Sequence, residues 1–464
     1  MKIRYRYISK IFLVGLLASS MTSCDKKLEV EPKQSIDAST ALSTPQDVEA
    51  ALVGAYSILA GGALYGTNFL MLADLQGSEG QCTWRGTFQG QRQITLHNMT
   101  RDNGEASRTW IAAYRAINMA NIVLDNIGVV TDAAQKSQFE GEALFIRGVM
   151  HFELVRYYGK PWGATAANDG PGIVVKTTAT YNDEPAVPRN TVKQAYDQAL
   201  ADLTAAASKL PTDNGVRADR FVAQAFLARL YLQQGDYTNA RTAANDVIQS
   251  GNYSMNGDLT EAFTEDNSDE VIWEIEQDVQ NNAGTANDGM ATFYASMPGI
   301  GRADVRIDAA FVNSYATADL RKTAWYYLGT GARPGNWYTF KWNSFSQNLP
   351  IVRLAEMYLI RAECNIRLGA SVGDTPANDL AKVRNPTRVG LAVIAAPVLN
   401  DILNERILEL AFEGVRVHDV KRLRLTLVNP TTGTFAWNSD MLVFPIPQRE
   451  VDASSGVIAQ NPGY

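Results

Sequence analysis

Apolar residues recur at helical spacing through most of the chain, and this periodicity constrains the fold more than any other feature of the sequence. Val48, Leu52, Tyr56 and Leu59 line one face of a helix over 44–59, with Thr44 placed to cap it and Pro45 at its first position. Stretches of the same period cover 107–127, 133–158, 191–210, 219–234, 238–249, 351–368 and 399–424. A chain patterned in this way is mainly α. Leu227, Ala228, Tyr231, Gly235, Asp236, Tyr237 and Ala240 fall at the spacing of a tetratricopeptide unit, two antiparallel helices joined at a tight turn. Ala228 lets the helices approach, Tyr231 is expected to fill the groove between them, and Gly235 caps the first helix. Other pairs, such as 107–127 with 133–158, repeat the hairpin without the full residue pattern, so the repeats are degenerate.

Two intervals escape this pattern: 60–105, rich in Gly, Gln and Thr, and 251–350, where Trp, Tyr, Asn and Gly recur. Val271 to Ile275 reads as a strand, and Trp337 to Trp342 alternates as another would. The expected architecture is a scaffold of tetratricopeptide-like helical hairpins, about 107–250 and 351–424. It carries two long, loop-rich insertions, about 60–105 and 251–350, and a few short strands. Loops of this length in a compact protein usually carry function.

The N-terminus reads as a secretion signal. Lys2, Arg4, Arg6 and Lys10 precede the apolar run Ile11 to Ala18, and small residues lead to Cys24. The run is far shorter than the ~20 residues of a membrane-spanning helix. Met21-Thr22-Ser23-Cys24 resembles a lipobox, which makes Cys24 the expected lipidation site. The expected division is a signal peptide over 1–23, a lipidated tether over 24–40 and a single domain over 41–464. Loss of the four positive charges of 1–23 takes the net charge from −7 to −11. Cys82 and Cys364 are expected as buried thiols, with a disulfide between them the alternative.

Composition removes several functions. The acidic balance argues against a nucleic-acid partner. Three His and three Cys leave little material for a metal site, and HExxH, GxSxG, Walker and Cys-x-x-Cys motifs are absent, so no cofactor, metal or catalytic residue is assigned. His151, between Met150 and Phe152, reads as a core histidine. Glu405, Glu409 and Glu413 stack at four-residue intervals near Arg406 and Arg416. They read as an ion-pair network in preference to an acid/base pair. The ligand spacing in Asp266-Asn267-Ser268-Asp269 is not diagnostic of calcium.

Five blocks in order resemble the SusD/RagB family of nutrient-capturing outer-membrane lipoproteins. They are Gly54-Ala55-Tyr56; Gly141-Glu142-Ala143 with Arg147, Phe152 and Tyr157-Tyr158-Gly159; and Pro350 to Glu363. The last two are Asn404-Glu405-Arg406 through Glu409 to Gly414 with Arg416, Asp419 and Arg422, and Pro445 to Gln448 with Gln460 to Tyr464. Val417-His418 departs from the family, which usually has aromatic residues there. The resemblance implies a non-catalytic, surface-exposed, lipid-anchored protein of the outer membrane. It would act as the lid of a SusC-like TonB-dependent transporter and bind an oligosaccharide or polysaccharide. A peptide ligand, as in RagB-type members, is the alternative, and a glycoside hydrolase a lesser one.

Sugar rings pack their C–H faces on indole and phenol rings while polar neighbours bind hydroxyl groups. Candidate ligand contacts are therefore the aromatic residues of the two insertions, where the family builds its site: Trp84 with Arg85, Tyr294, Trp325, Tyr326 and Trp337. Tyr338, Phe340 and Trp342 alternate on one strand face and are assigned to packing, as is Trp110.

Overall fold

The structure, a computed structural model, describes residues 42–181 and 184–464; the expected signal peptide, Cys24 and the tether lie outside the described residues. Thr44–Tyr464 forms one compact unit. Helix α1 (Pro45–Ala60) begins at the expected cap. The Thr44 side chain accepts from the Asp47 N–H, and Asp47 accepts in return from the Thr44 N–H. After α2 (Asn68–Gln76), the long helices of the N-terminal half are α3 (Gly104–Asn126), α4 (Ala133–Tyr158), α5 (Val192–Lys209), α6 (Arg220–Gln234) and α7 (Tyr237–Gln249). The second insertion separates these from α8 (Leu354–Leu368), α9 (Pro376–Val383), α10 (Leu399–Glu409) and α11 (Arg416–Arg422).

From α3 to α9 each helix packs on the next, the stacking expected of helical repeats. Helix α4 lies between α3 and α5, which is why its C-terminal half is buried almost all round. Arg147 of α4 reaches α5 through two bonds to Asp202, of 2.6 and 2.8 Å. His151 is enclosed beside this pair, and burial, then the charge of Arg147, lowers its pKa to about 3, so it is a neutral core histidine. Gly235 ends α6 with φ 75°, and Ala228 is fully buried. Tyr231 is half-buried.

Two helix boundaries differ from those expected. Residues 351–353 belong to strand β6 (Leu349–Arg353), which pairs antiparallel with the expected strand β2 (Val271–Ile275). Both strands are buried throughout, which suits branched Ile351 and Val352. The stretch over 399–424 breaks between α10 and α11, where Phe412 and Gly414 take left-handed φ values of 64° and 76°. A Cβ on Gly414 would lie 2.7 Å from the Cα of Leu70, so the turn rests directly on the backbone of α2. His418, at the departure from the family pattern, sets its ring edge-on to Tyr157 at 5.2 Å, as an aromatic residue would.

The break gathers the three glutamates into a buried network. Glu409 accepts from Arg321, Arg353 and Arg388 at 2.9, 3.2 and 2.8 Å. Glu405 pairs with Arg321, while Glu413 takes Arg353 at 2.7 Å and Lys341 at 2.6 Å. Burial alone would raise the Glu409 pKa; the guanidinium groups of Arg388, Arg353 and Arg321 outweigh it and hold it well below the usual carboxylate range. The partners are not the neighbouring arginines that the sequence suggests. Arg406 binds Glu356 and Asp419, and Arg416 binds Glu79.

Asp74 of α2 accepts from Tyr294 Oη at 3.0 Å and from the Gly414 N–H at 3.1 Å. Burial pushes its pKa from 3.8 to about 8 against these two bonds. The native chain therefore keeps a proton that the unfolded chain releases above about pH 4, and stability falls as the pH rises from there to about 8. Asp74→Asn is expected to remove this component. Thermal midpoints across pH 5–9 should show the wild type losing ground to the variant as pH rises, and parallel curves would refute the assignment.

Cys82 and Cys364 are buried free thiols. Among the described residues no helix is long and apolar enough to cross a membrane, and no group of three or more His, Cys, Asp or Glu is arranged to hold a metal ion.

Candidate ligand-binding face

The two insertions meet in one sheet. Strand β1 (Cys82–Trp84) comes from the first; β3 (Val305–Ile307), β4 (Tyr326–Leu328) and β5 (Trp337–Thr339) come from the second. Their order is β1-β3-β5-β4, with every pairing antiparallel. Thr83 lies opposite Arg306 and Trp84 opposite Val305, while Trp337 lies between Ile307 on one side and Leu328 on the other.

This arrangement sorts the candidate residues. Trp84 is buried, with Phe293 at 5.5 Å and Phe88 at 6.5 Å between ring centroids. Tyr294 is fully buried and hydrogen-bonded to Asp74. Trp325 is fully buried; its indole N–H donates to Leu259 O at 2.8 Å, and Lys341 Nζ lies 3.9 Å from its ring centre. Tyr326 is buried with its hydroxyl 2.9 Å from that of Tyr315. These four rings belong to the packed interior, a correction to their expected exposure. The hydrogen bonds of Tyr294 and Trp325 run to Asp74 and Leu259, distant in sequence, which local strand alternation cannot reveal. Arg85 is exposed and Trp337 half-buried, so they are the two candidates that reach the surface. Tyr338, Trp342 and Trp110 are buried as expected, and Phe340 is half-buried.

Other residues reach the surface on either side of the sheet. Leu328, opposite Trp337, is 51% exposed, and Phe88 is 37% exposed. Asp304 and Arg306 alternate with buried Val305 and Ile307, so both side chains project from the side of the strand away from Trp337, which pairs with Ile307. That period-two signal was present in the sequence and could have identified them. The Arg85 N–H donates to Asp304 O at 2.6 Å and extends the β1–β3 ladder, which puts Arg85 on the same side. Asp304 receives Arg302 at 3.0 Å and Arg333 at 3.5 Å, and the Arg302 guanidinium lies 4.5 Å over the Phe88 ring. Gly86 lies flat here, since a Cβ would come within 2.5 Å of the Trp84 ring and 2.8 Å of the Asp304 carboxyl carbon.

A stack of degenerate helical hairpins carries the four-stranded sheet in which both insertions meet, and this combination defines the scaffold class. Residues 26–232 match a family model described as starch-binding associating with outer membrane, and residues 321–464 match the SusD family model. The chain belongs to the SusD/RagB family. It is 25% identical to SusD-like protein P2 of Formosa agariphila across 98% of this chain and 99% of that one. It is 24% identical to the starch-binding protein SusD of Bacteroides thetaiotaomicron, across 99% of each. A crystal structure of a SusD superfamily protein from the latter organism shares the fold, with a TM-score of 0.82, 24% identity and coverage of 90% of this chain and 100% of that one.

Proposed function

We propose that the protein captures an oligosaccharide or polysaccharide at the cell surface and passes it, uncleaved, to a SusC-like TonB-dependent transporter of the outer membrane. The observation that carries this reading is the sheet in which both insertions meet, where half-buried Trp337 faces exposed Leu328. An indole fixed by its strand and open on one side suits the C–H face of a sugar ring. The starch-binding name of the Bacteroides relative and the outer-membrane description of the family model support the same role. Cys24 would carry the lipid that holds the chain at the membrane surface. The engagement of Glu405, Glu409 and Glu413 in buried ion pairs supports binding without hydrolysis.

Calorimetric titration of the mature chain against glycans and peptides, with reducing ends followed in the same samples, tests this. Trp337→Ala is expected to weaken glycan binding roughly tenfold or more, as loss of an aromatic anchor does, with little change in thermal midpoint. Unchanged affinity would remove Trp337 from the site. Binding of peptides alone would replace the glycan on the same scaffold, and release of reducing ends would make the protein a hydrolase.

A further inference from the structure

Resting on the glycan-capture reading, we propose that the ligand is an anionic polysaccharide bearing carboxylate or sulfate groups, received by Arg85, Arg306 and Arg333. Three arginines share this side of the sheet: Arg85 and Arg306 from the β1–β3 ladder and Arg333 from the loop before β5, while Arg302 reaches Asp304 from the segment before β3. Tyr338 ties them together. Its hydroxyl donates to Arg333 O at 3.1 Å and lies within the fields of Arg333, Arg306 and Asp304.

Two carboxylates face them, and neither balances the set. Asp304 is buried and is shared by Arg302 and Arg333. Asp308, next along the same strand face, caps the helix Ala309–Ser314 by accepting from the Ala310 N–H at 2.8 Å. Among the described residues Arg85 and Arg306 have no ion-pair partner. Arg85 is exposed, and the Arg333 side chain is 41% exposed.

A basic patch on a chain of net charge −7 attracts anions to one place and repels them elsewhere. That combination disfavours a continuous polyanion such as nucleic acid, which needs an extended basic surface. It favours a polymer whose charges are spaced one or two per sugar. Guanidinium groups bind carboxylate and sulfate oxygens through paired N–H donors, and the Phe88 ring beneath Arg302 holds one such group flat. The arginines would read the charge from the side of the sheet that they share with Tyr338, and Trp337, paired with Ile307, lies on the other side.

The test is titration of the mature chain with neutral, uronate-containing and sulfated polysaccharides at about 20 and 200 mM salt, using wild type, Arg85→Gln, Arg333→Gln and Trp337→Ala. The expected result is tighter binding of a charged polymer, weakened by salt, with each arginine variant losing roughly tenfold or more on charged ligands. Trp337→Ala should lose affinity whatever the ligand charge. Both arginines lie at the surface, so their variants should keep the wild-type thermal midpoint. Neutral glycans bound as tightly as charged ones, or arginine variants without effect, would overturn the charge assignment and leave glycan capture intact. Arginine-dependent binding of acidic peptides with no glycan bound would overturn both.

Discussion

Glu409→Ala is expected to destabilise the protein by about 3–5 kcal/mol, the cost of removing one partner from a buried ionic network. Glu409 is fully buried, and its loss leaves Arg321, Arg353 and Arg388 crowded together with less negative charge among them. Desolvated guanidinium groups cannot escape by losing a proton, so the strain falls on the fold. Glu409→Gln retains the volume and should cost nearly as much, because charge and not packing is what the site lacks. Urea unfolding of the purified variants measures both, and a loss below about 1 kcal/mol in Glu409→Ala would show that the arginines find other partners.

Trp325→Ala is the second large effect, about 3–5 kcal/mol, the range for truncating a buried aromatic side chain. The indole packs edge-on against Phe263 at 6.2 Å, lies under Lys341 and donates to Leu259 O. Its removal opens a cavity and leaves that carbonyl without its donor. Trp325→Phe should recover much of the packing but not the hydrogen bond. Comparison with Trp337→Ala separates the two tryptophans: Trp325 should change the unfolding midpoint, and Trp337 the affinity. A Trp325→Ala protein of wild-type stability with impaired binding would reverse this and return Trp325 to the ligand site.

The contrast marks what local pattern can reveal. The period of 3.6 located α4 to the residue, because a long helix repeats its signal over many turns. It ran through the break at Phe412 and Gly414 because apolar residues continue on both sides, and the reversal depends on contact with Leu70, far away in sequence. The network partners of Glu409 come from 321, 353 and 388, which no spacing rule links to it. The aromatic residues of the insertions could be enumerated but not sorted, since their burial depends on partners such as Leu259 and Asp74. Asp304 and Arg306 were legible by their alternation with Val305 and Ile307. Cys24 and the tether remain expectations of the sequence.

The joining of distant segments also bears on how the chain can be made. Strand β1 has no partner until β3 has been synthesised, and β3 in turn needs β5. The last residues close onto early helices: Phe444 N–H donates to Tyr157 O, and the Asn461 side chain donates to Tyr158 O. Helical hairpins can form as the chain emerges, but the cross-connections that finish the core must wait for the C-terminus. Pairings of such long range are the slow steps of folding. Competence to bind is therefore acquired last, and a chain shortened by its final twenty or so residues would carry every element of the binding face without the closure that steadies it.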